Sequence, residues 1–304
     1  MNHLGSGERY IEITALGEKY KVWTRKFGDH PTIKILLLHG GPGGSYHTFE
    51  CFKEHFMKQG YEFYYYDQLG SYLSDNPDND ELWTIDRFVD EVEQVRVALG
   101  LNQDNFYLCG NSWGGMLGLE YALKHQQHLK GLIISSAQAS IPDYNRYANE
   151  VLAPQLDADV IAEIKEFEAK KDFSNPRYDE LLKPYYKKFV IRLARDVWPQ
   201  AIKDLLVNLN MHIYNYMNGP SEFGSCGTFK DWDVKGELHK IVKPTLIIGS
   251  TYNTMDPKQQ EWMSNEVQNG QYLHCPSGGH MAMWDDPKHY FPGLIKYINE
   301  LDSK

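Results

Sequence analysis

Apolar residues follow two rhythms along this chain. Up to about residue 140, and again after about residue 236, short apolar runs alternate with segments of helical spacing. Residues 10–13 and 20–27 are rich in β-formers and flank Leu16-Gly17, which predicts an opening hairpin. Residues 33–38 form an unbroken apolar run, the pattern of a central parallel strand buried on both faces. Residues 62–66, 106–109 and 132–135 read as further strands. Helical spacing covers residues 84–99, with Thr84 as N-cap, and residues 117–124. Near the end come a strand at 244–249, a helix near 259–267, a strand at 272–275 and a helix near 290–301. Strand and helix in turn predict a mostly parallel sheet with helices on both faces.

From residue 141 to 235 the rhythm changes. Amphipathic helical spacing takes over, as at 160–171 and 178–193, and no run of the core-strand type appears. The chain therefore reads as a core made of residues 1–140 and 236–304, with a helical cap at 141–235 inserted between two strands of the sheet. Its 304 residues suffice for a full core and an inserted subdomain.

Composition narrows the class only slightly. With 42% hydrophobic and 24% charged residues the chain is an ordinary globular one. A net charge of −10 argues against nucleic acid and anionic membrane as partners. No stretch is long and apolar enough to span a bilayer, and the first residues lack the pattern of a secretion signal. The cysteines, Cys51, Cys109, Cys226 and Cys275, fit neither metal nor redox spacing, so they read as reduced thiols of a cytoplasmic protein. No metal-ligand set or dinucleotide fingerprint appears, and no cofactor is expected.

Three motifs carry chemistry. Gly110-Asn111-Ser112-Trp113-Gly114 follows a predicted strand and precedes a helix. Such a turn presents a nucleophilic serine, and the flanking glycines spare it a clash. His39-Gly40-Gly41-Pro42-Gly43-Gly44 follows the apolar run at 33–38. Acyl transfer needs two N–H donors for its oxyanion, and Trp113 and Gly41 are the expected pair. Proline at 42, with no Lys-Ser/Thr after it, argues against a phosphate loop. Third, His280 in Ser277-Gly278-Gly279-His280 comes a few residues after the last predicted strand, in the Ser-acid-His order of an α/β hydrolase. The acid belongs on the loop after 244–249, which reads Ser250-Thr251-Tyr252-Asn253-Thr254-Met255-Asp256-Pro257.

The chain resembles the proline iminopeptidases along nearly its whole length. The matching segments are residues 39–44, Tyr66-Asp67-Gln68, residues 110–115, Met217-Asn218-Gly219-Pro220-Ser221-Glu222-Phe223, Lys230-Asp231-Trp232-Asp233 and Gly279-His280-Met281. The resemblance implies an eight-stranded α/β-hydrolase fold with a helical cap. It also implies release of an N-terminal residue, usually proline, from short peptides or amides. Ser112 would be the nucleophile, His280 the general base, and Glu222 the acid that holds the substrate's free amine. The family's catalytic Asp falls on Asn253. A neutral amide carries no charge to stabilise an imidazolium and can favour the wrong histidine tautomer. Three readings stand side by side: an artificial substitution that traps ligand, Asp256 in place of the missing charge, or a natural variant with altered chemistry. An amino acid amidase and a non-hydrolytic binding protein are the rival functions. Trp113 and Trp284 are expected to wall a small apolar pocket, and Cys226 to be a passive thiol.

Overall fold

Each central strand carries apolar side chains on both faces, and this is what lets one sheet organise the molecule. The computed structural model describes residues 5–303. Among these residues are the strands β1 (Glu8–Ala15), β2 (Glu18–Phe27), β3 (Lys34–Leu38), β4 (Glu62–Tyr66), β5 (Phe106–Asn111), β6 (Gly131–Ser135), β7 (Thr245–Tyr252) and β8 (Gly270–Gly279). They form one eight-stranded sheet in the order β1-β2-β4-β3-β5-β6-β7-β8. β2 runs antiparallel to both its neighbours, and all other pairs are parallel.

The helices cover the two faces of this sheet. α1 (Phe52–Gln59), α2 (Ile85–Leu99) and α3 (Trp113–His125) follow β3, β4 and β5 in the chain. Thr84 caps α2 by accepting the Arg87 N–H, and Gly100 ends it in the left-handed region. Between β6 and β7 lie α4 (Ile141–Tyr147), α5 (Ala158–Lys170), α6 (Pro176–Tyr185), α7 (Gln200–Val207) and α8 (Met211–Met217). After β7 come α9 (Pro257–Glu266), α10 (Ala282–Asp285) and α11 (Pro287–Asp302). On β3, Leu36 and Leu38 pack with Phe88, Val92 and Leu117, while Ile35 and Leu37 pack with Phe56, Tyr290 and Leu294. That alternation is the strand's period of two with both sides dry. A third apolar cluster, including Ile164, Tyr178, Leu182, Tyr185 and Phe223, belongs to the chain between β6 and β7. No helix of the described residues is long and apolar enough to cross a membrane.

Two boundaries differ from the sequence expectation, for related reasons. The helix expected over 178–193 ends earlier: α6 runs into a wide turn at Tyr186–Val190, and Ile191 is extended. The carbonyls of Phe189 and Val190 instead accept the N–H groups of His280 and Met281, at 2.8 and 2.9 Å. The strand expected at 272–275 runs on to Gly279, where it pairs with Tyr252 past an irregularity in β7. His280 thus leaves the sheet directly. The Asp285 carboxylate clamps the junction, accepting N–H groups from Gly279 at 3.0 Å, Arg192 at 2.9 Å and Leu193 at 3.2 Å. Burial pushes this carboxyl up to about 6.

Candidate active site

β5 ends at a turn that only small neighbours permit. Ser112 has φ 57° and ψ −123°, a strained conformation for a residue with a side chain. Its N–H is tied to the Ser135 carbonyl at 2.9 Å. A Cβ on Gly110 would lie 2.0 Å from the Gly114 carbonyl oxygen, and one on Gly114 would lie 2.0 Å from that of Leu38. Both glycines are therefore demanded by backbone contact.

The loop after β3 closes over this turn. A Cβ on Gly40 would meet that of Ser112 at 3.1 Å, which fixes how near the two backbones run. Gly41, at φ 117°, lines one pocket with Ser112 and Trp113. Among the described residues, the N–H groups of Gly41 and Trp113 take no hydrogen-bond acceptor. A web of side-chain bonds holds the loop. His39 Nε2 accepts the Gln68 N–H at 3.1 Å, and the Gln68 amide donates to the His39 carbonyl at 3.1 Å. The Gln68 carbonyl oxygen accepts the Trp113 indole N–H at 2.9 Å. His39 must be neutral to accept at Nε2, and burial pushes its pKa down to about 4. Trp113 stacks on Phe229, with ring centroids 5.7 Å apart.

His280 is buried, and Nδ1 of its ring faces the loop after β7. Nδ1 lies 3.0 Å from Asn253 Oδ1 and 2.9 Å from Thr254 Oγ1. Asn253 Oδ1 also accepts the Met255 N–H at 3.1 Å, while Nδ2 donates to Ser136 Oγ at 3.0 Å and Ser250 Oγ at 3.1 Å. Burial lowers the affinity of His280 for a proton, and the Glu222 charge opposes this. Asp256 does something else. Its carboxylate accepts the Lys258 N–H at 2.9 Å and caps α9, and it makes no hydrogen bond to His280. The structure thus brings Asn253 to the histidine and leaves Asp256 at a helix start.

Glu222 lines the same pocket as Ser112, with Phe229 and Met255. Its carboxylate accepts the Tyr214 hydroxyl at 2.6 Å. Its carbonyl accepts the hydroxyls of Tyr144 and Tyr185, and its N–H donates to Tyr186 at 3.2 Å. Burial, and then the Glu222 charge, hold Tyr144, Tyr185 and Tyr214 protonated. Sequence reasoning missed these tyrosines, because they come from α4, α6, α8 and the turn after α6. It also misplaced Trp284, which lines a different depression with His55 and Phe291 and donates to the Thr48 carbonyl at 3.0 Å. Cys226 is exposed and unpaired.

A second group of potential ligands, Glu93, His125 and His128, lies at the end of α3. Arg96 takes both Glu93 oxygens, at 2.8 and 2.6 Å, so the carboxylate a cation would need is already engaged.

Known proteins resemble this chain along nearly its whole length. A family model described as the alpha/beta hydrolase fold matches residues 34–287. The proline iminopeptidase of Flavobacterium johnsoniae is 53% identical over 292 residues, covering 96% of this chain and 97% of the relative. The chain belongs to the proline iminopeptidase family. The proline iminopeptidase of Elizabethkingia meningoseptica is also 53% identical, with 97% of this chain and 99% of the relative covered. Among solved structures, proline iminopeptidase from Mycobacterium smegmatis superposes with a TM-score of 0.85 at 26% identity, covering 97% and 98% of the two chains. The structure of VinJ gives 0.89 at 26% identity, covering 96% of this chain and 99% of that one. The eight-stranded sheet with its single antiparallel member β2 is thus the frame of a proline iminopeptidase-family α/β hydrolase.

Proposed function

We propose that this chain is a serine aminopeptidase that releases an N-terminal residue, preferably proline, from short peptides or amides. Ser112 Oγ attacks the carbonyl of that residue and passes its proton to Nε2 of His280. The oxyanion is met by the N–H groups of Gly41 and Trp113. His280 then protonates the leaving amine, and water, deprotonated by the same imidazole, hydrolyses the acyl-enzyme. Glu222 pairs with the substrate's ammonium and Trp113, Phe229 and Met255 supply an apolar wall for a pyrrolidine ring. The observation that carries this reading is that Ser112 and Glu222 line one pocket.

We also propose that residues 141–235 act as a cap over the core of residues 1–140 and 236–304, supported by the cap's own apolar cluster. Four unpaired cysteines, two of them buried, favour a reducing compartment such as the cytoplasm.

The test is hydrolysis of an unblocked prolyl chromogenic amide and of its N-blocked counterpart. Ser112→Ala is expected to lower turnover by at least about 10³-fold. Glu222→Gln is expected to lower kcat/KM for the free-amine substrate by about 30-fold, the low end for breaking a charge pair because Glu222 is half-buried. The N-blocked substrate should change far less. Retained activity in Ser112→Ala, or equal losses on both substrates in Glu222→Gln, overturns the corresponding role.

A further inference from the structure

A neutral imidazole has one N–H, and the other nitrogen is the base. Beside a carboxylate, which only accepts, the proton stays on Nδ1. A carboxamide has an accepting end and a donating end, and a half-turn exchanges them. With the NH₂ end toward Nδ1, the histidine would keep its proton on Nε2 and could not deprotonate a serine. Thr254 pulls the same way, since its hydroxyl lies 2.9 Å from Nδ1 and can donate to it.

The contacts around Asn253 admit one orientation. The Met255 N–H can only donate, so the amide atom 3.1 Å away is the oxygen. Ser250 gives its own proton to the Gly279 carbonyl at 2.7 Å, so toward the amide it accepts. Ser136 Oγ lies 3.0 Å from the same nitrogen. Ser136 holds this position at φ 46°, a left-handed conformation that is costly for a residue with a side chain, with its N–H fixed on the Ile248 carbonyl at 3.0 Å.

We propose that Ser136 and Ser250 are positioning residues that, together with the Met255 N–H, hold the Asn253 carboxamide in one orientation and so keep the proton of His280 on Nδ1. The two hydroxyls thereby preserve a usable base where the carboxylate charge is missing. This rests on the roles of Ser112 and His280 given above. It also explains why a strained serine stands at the end of β6.

A double-mutant cycle tests it. Ser136→Ala and Ser250→Ala are each made in the chain with Asn253 and in the Asn253→Asp background, and kcat is read on one prolyl amide. In the chain with Asn253 each should lower kcat by about 10-fold, part of the roughly 10⁴-fold that an amide at this position costs a serine protease. In the Asn253→Asp background either oxygen serves, and the change should stay within about twofold. Equal losses in both backgrounds would overturn the proposal, because a merely structural role for the hydroxyls predicts them. A second readout is the ¹⁵N spectrum of the histidine-labelled enzyme. His280 should show N–H character at Nδ1, and lose it partly in the Ser136→Ala, Ser250→Ala double variant. An unchanged tautomer in that variant also overturns the proposal. The spectrum reads the tautomer whether or not Ser112 is the nucleophile, so failure of the tautomer proposal and failure of the serine mechanism are distinguished.

Discussion

The Ser112 turn is shaped by backbone contacts; the surroundings of His280 Nδ1 and of its amide partner are one carboxamide and three hydroxyls. The Ser112 turn exists because Gly110, Gly114 and Leu38 bring main chains into contact, and the loop at Gly41 is fastened through His39 and Gln68. No formal charge takes part. On the other side, Ser136, Ser250 and Thr254 surround Asn253 and His280, and each contact is a side-chain bond. The contrast shows that a backbone-built half permits no change of shape, whereas a side-chain-built half can survive a change of charge if its orientation is kept.

The first way to break the comparison is to alter the rigid half. Gly114→Ala places a methyl 2.0 Å from the Leu38 carbonyl oxygen, so α3 must leave β3. The expected cost is more than about 3 kcal/mol of stability, with activity lost, measured by urea denaturation and turnover. An unchanged midpoint would show that the turn is more pliant than the contacts indicate.

Asn253→Asp sharpens the other half. The tautomer is already set, so only the charge is gained, and kcat should rise by about 10²-fold rather than the full 10⁴. The pH profile gives an independent check. Catalysis needs neutral His280, and burial holds its pKa below the ordinary 6.5, so the acid limb of the enzyme with Asn253 lies below that pH. A carboxylate at 253 favours the imidazolium and should move the limb to higher pH. A limb that stays in place, with kcat unchanged, would mean that His280 does not sense position 253.

The smallest effect belongs to Asp256. Asn also caps helices well, so Asp256→Asn should leave both α9 and kcat within about twofold of the original. A loss beyond tenfold would mean that its charge reaches His280 in solution.

The rigid half was legible in the sequence because backbone constraints leave marks: glycines at fixed offsets and apolar runs that end in them. All eight strands lay where apolar runs or β-rich segments stood, and the Thr84 cap was where the spacing put it. What escaped was tertiary. The last residues of β8, Pro276 to Gly279, read as loop, but Gly279 pairs with Tyr252 past the irregularity in β7. α1 was not read, although Phe52 and Phe56 stand at helical spacing and pack against Tyr290 and Phe291. Asn253 was visible as a departure from the family, but Ser136 lies 117 residues away, and no local pattern links the two. Trp284 was expected at the site because of its neighbours in sequence, whereas α10 turns it toward Thr48.

The bond from His280 to the Phe189 carbonyl, and that from Met281 to Val190, tie the histidine but not the nucleophile to the turn after α6. Ser112 is set by the sheet and α3 alone. The backbone of His280 is held both by β8 and, through the Phe189 carbonyl, by the turn after α6, midway along residues 141–235. A molecule that opened there, with its sheet intact, would keep the nucleophile turn and loosen the seat of the histidine. The turn after α6 thus works as a latch on the histidine side of the site alone: it grips His280 and Met281 and leaves the Ser112 turn untouched.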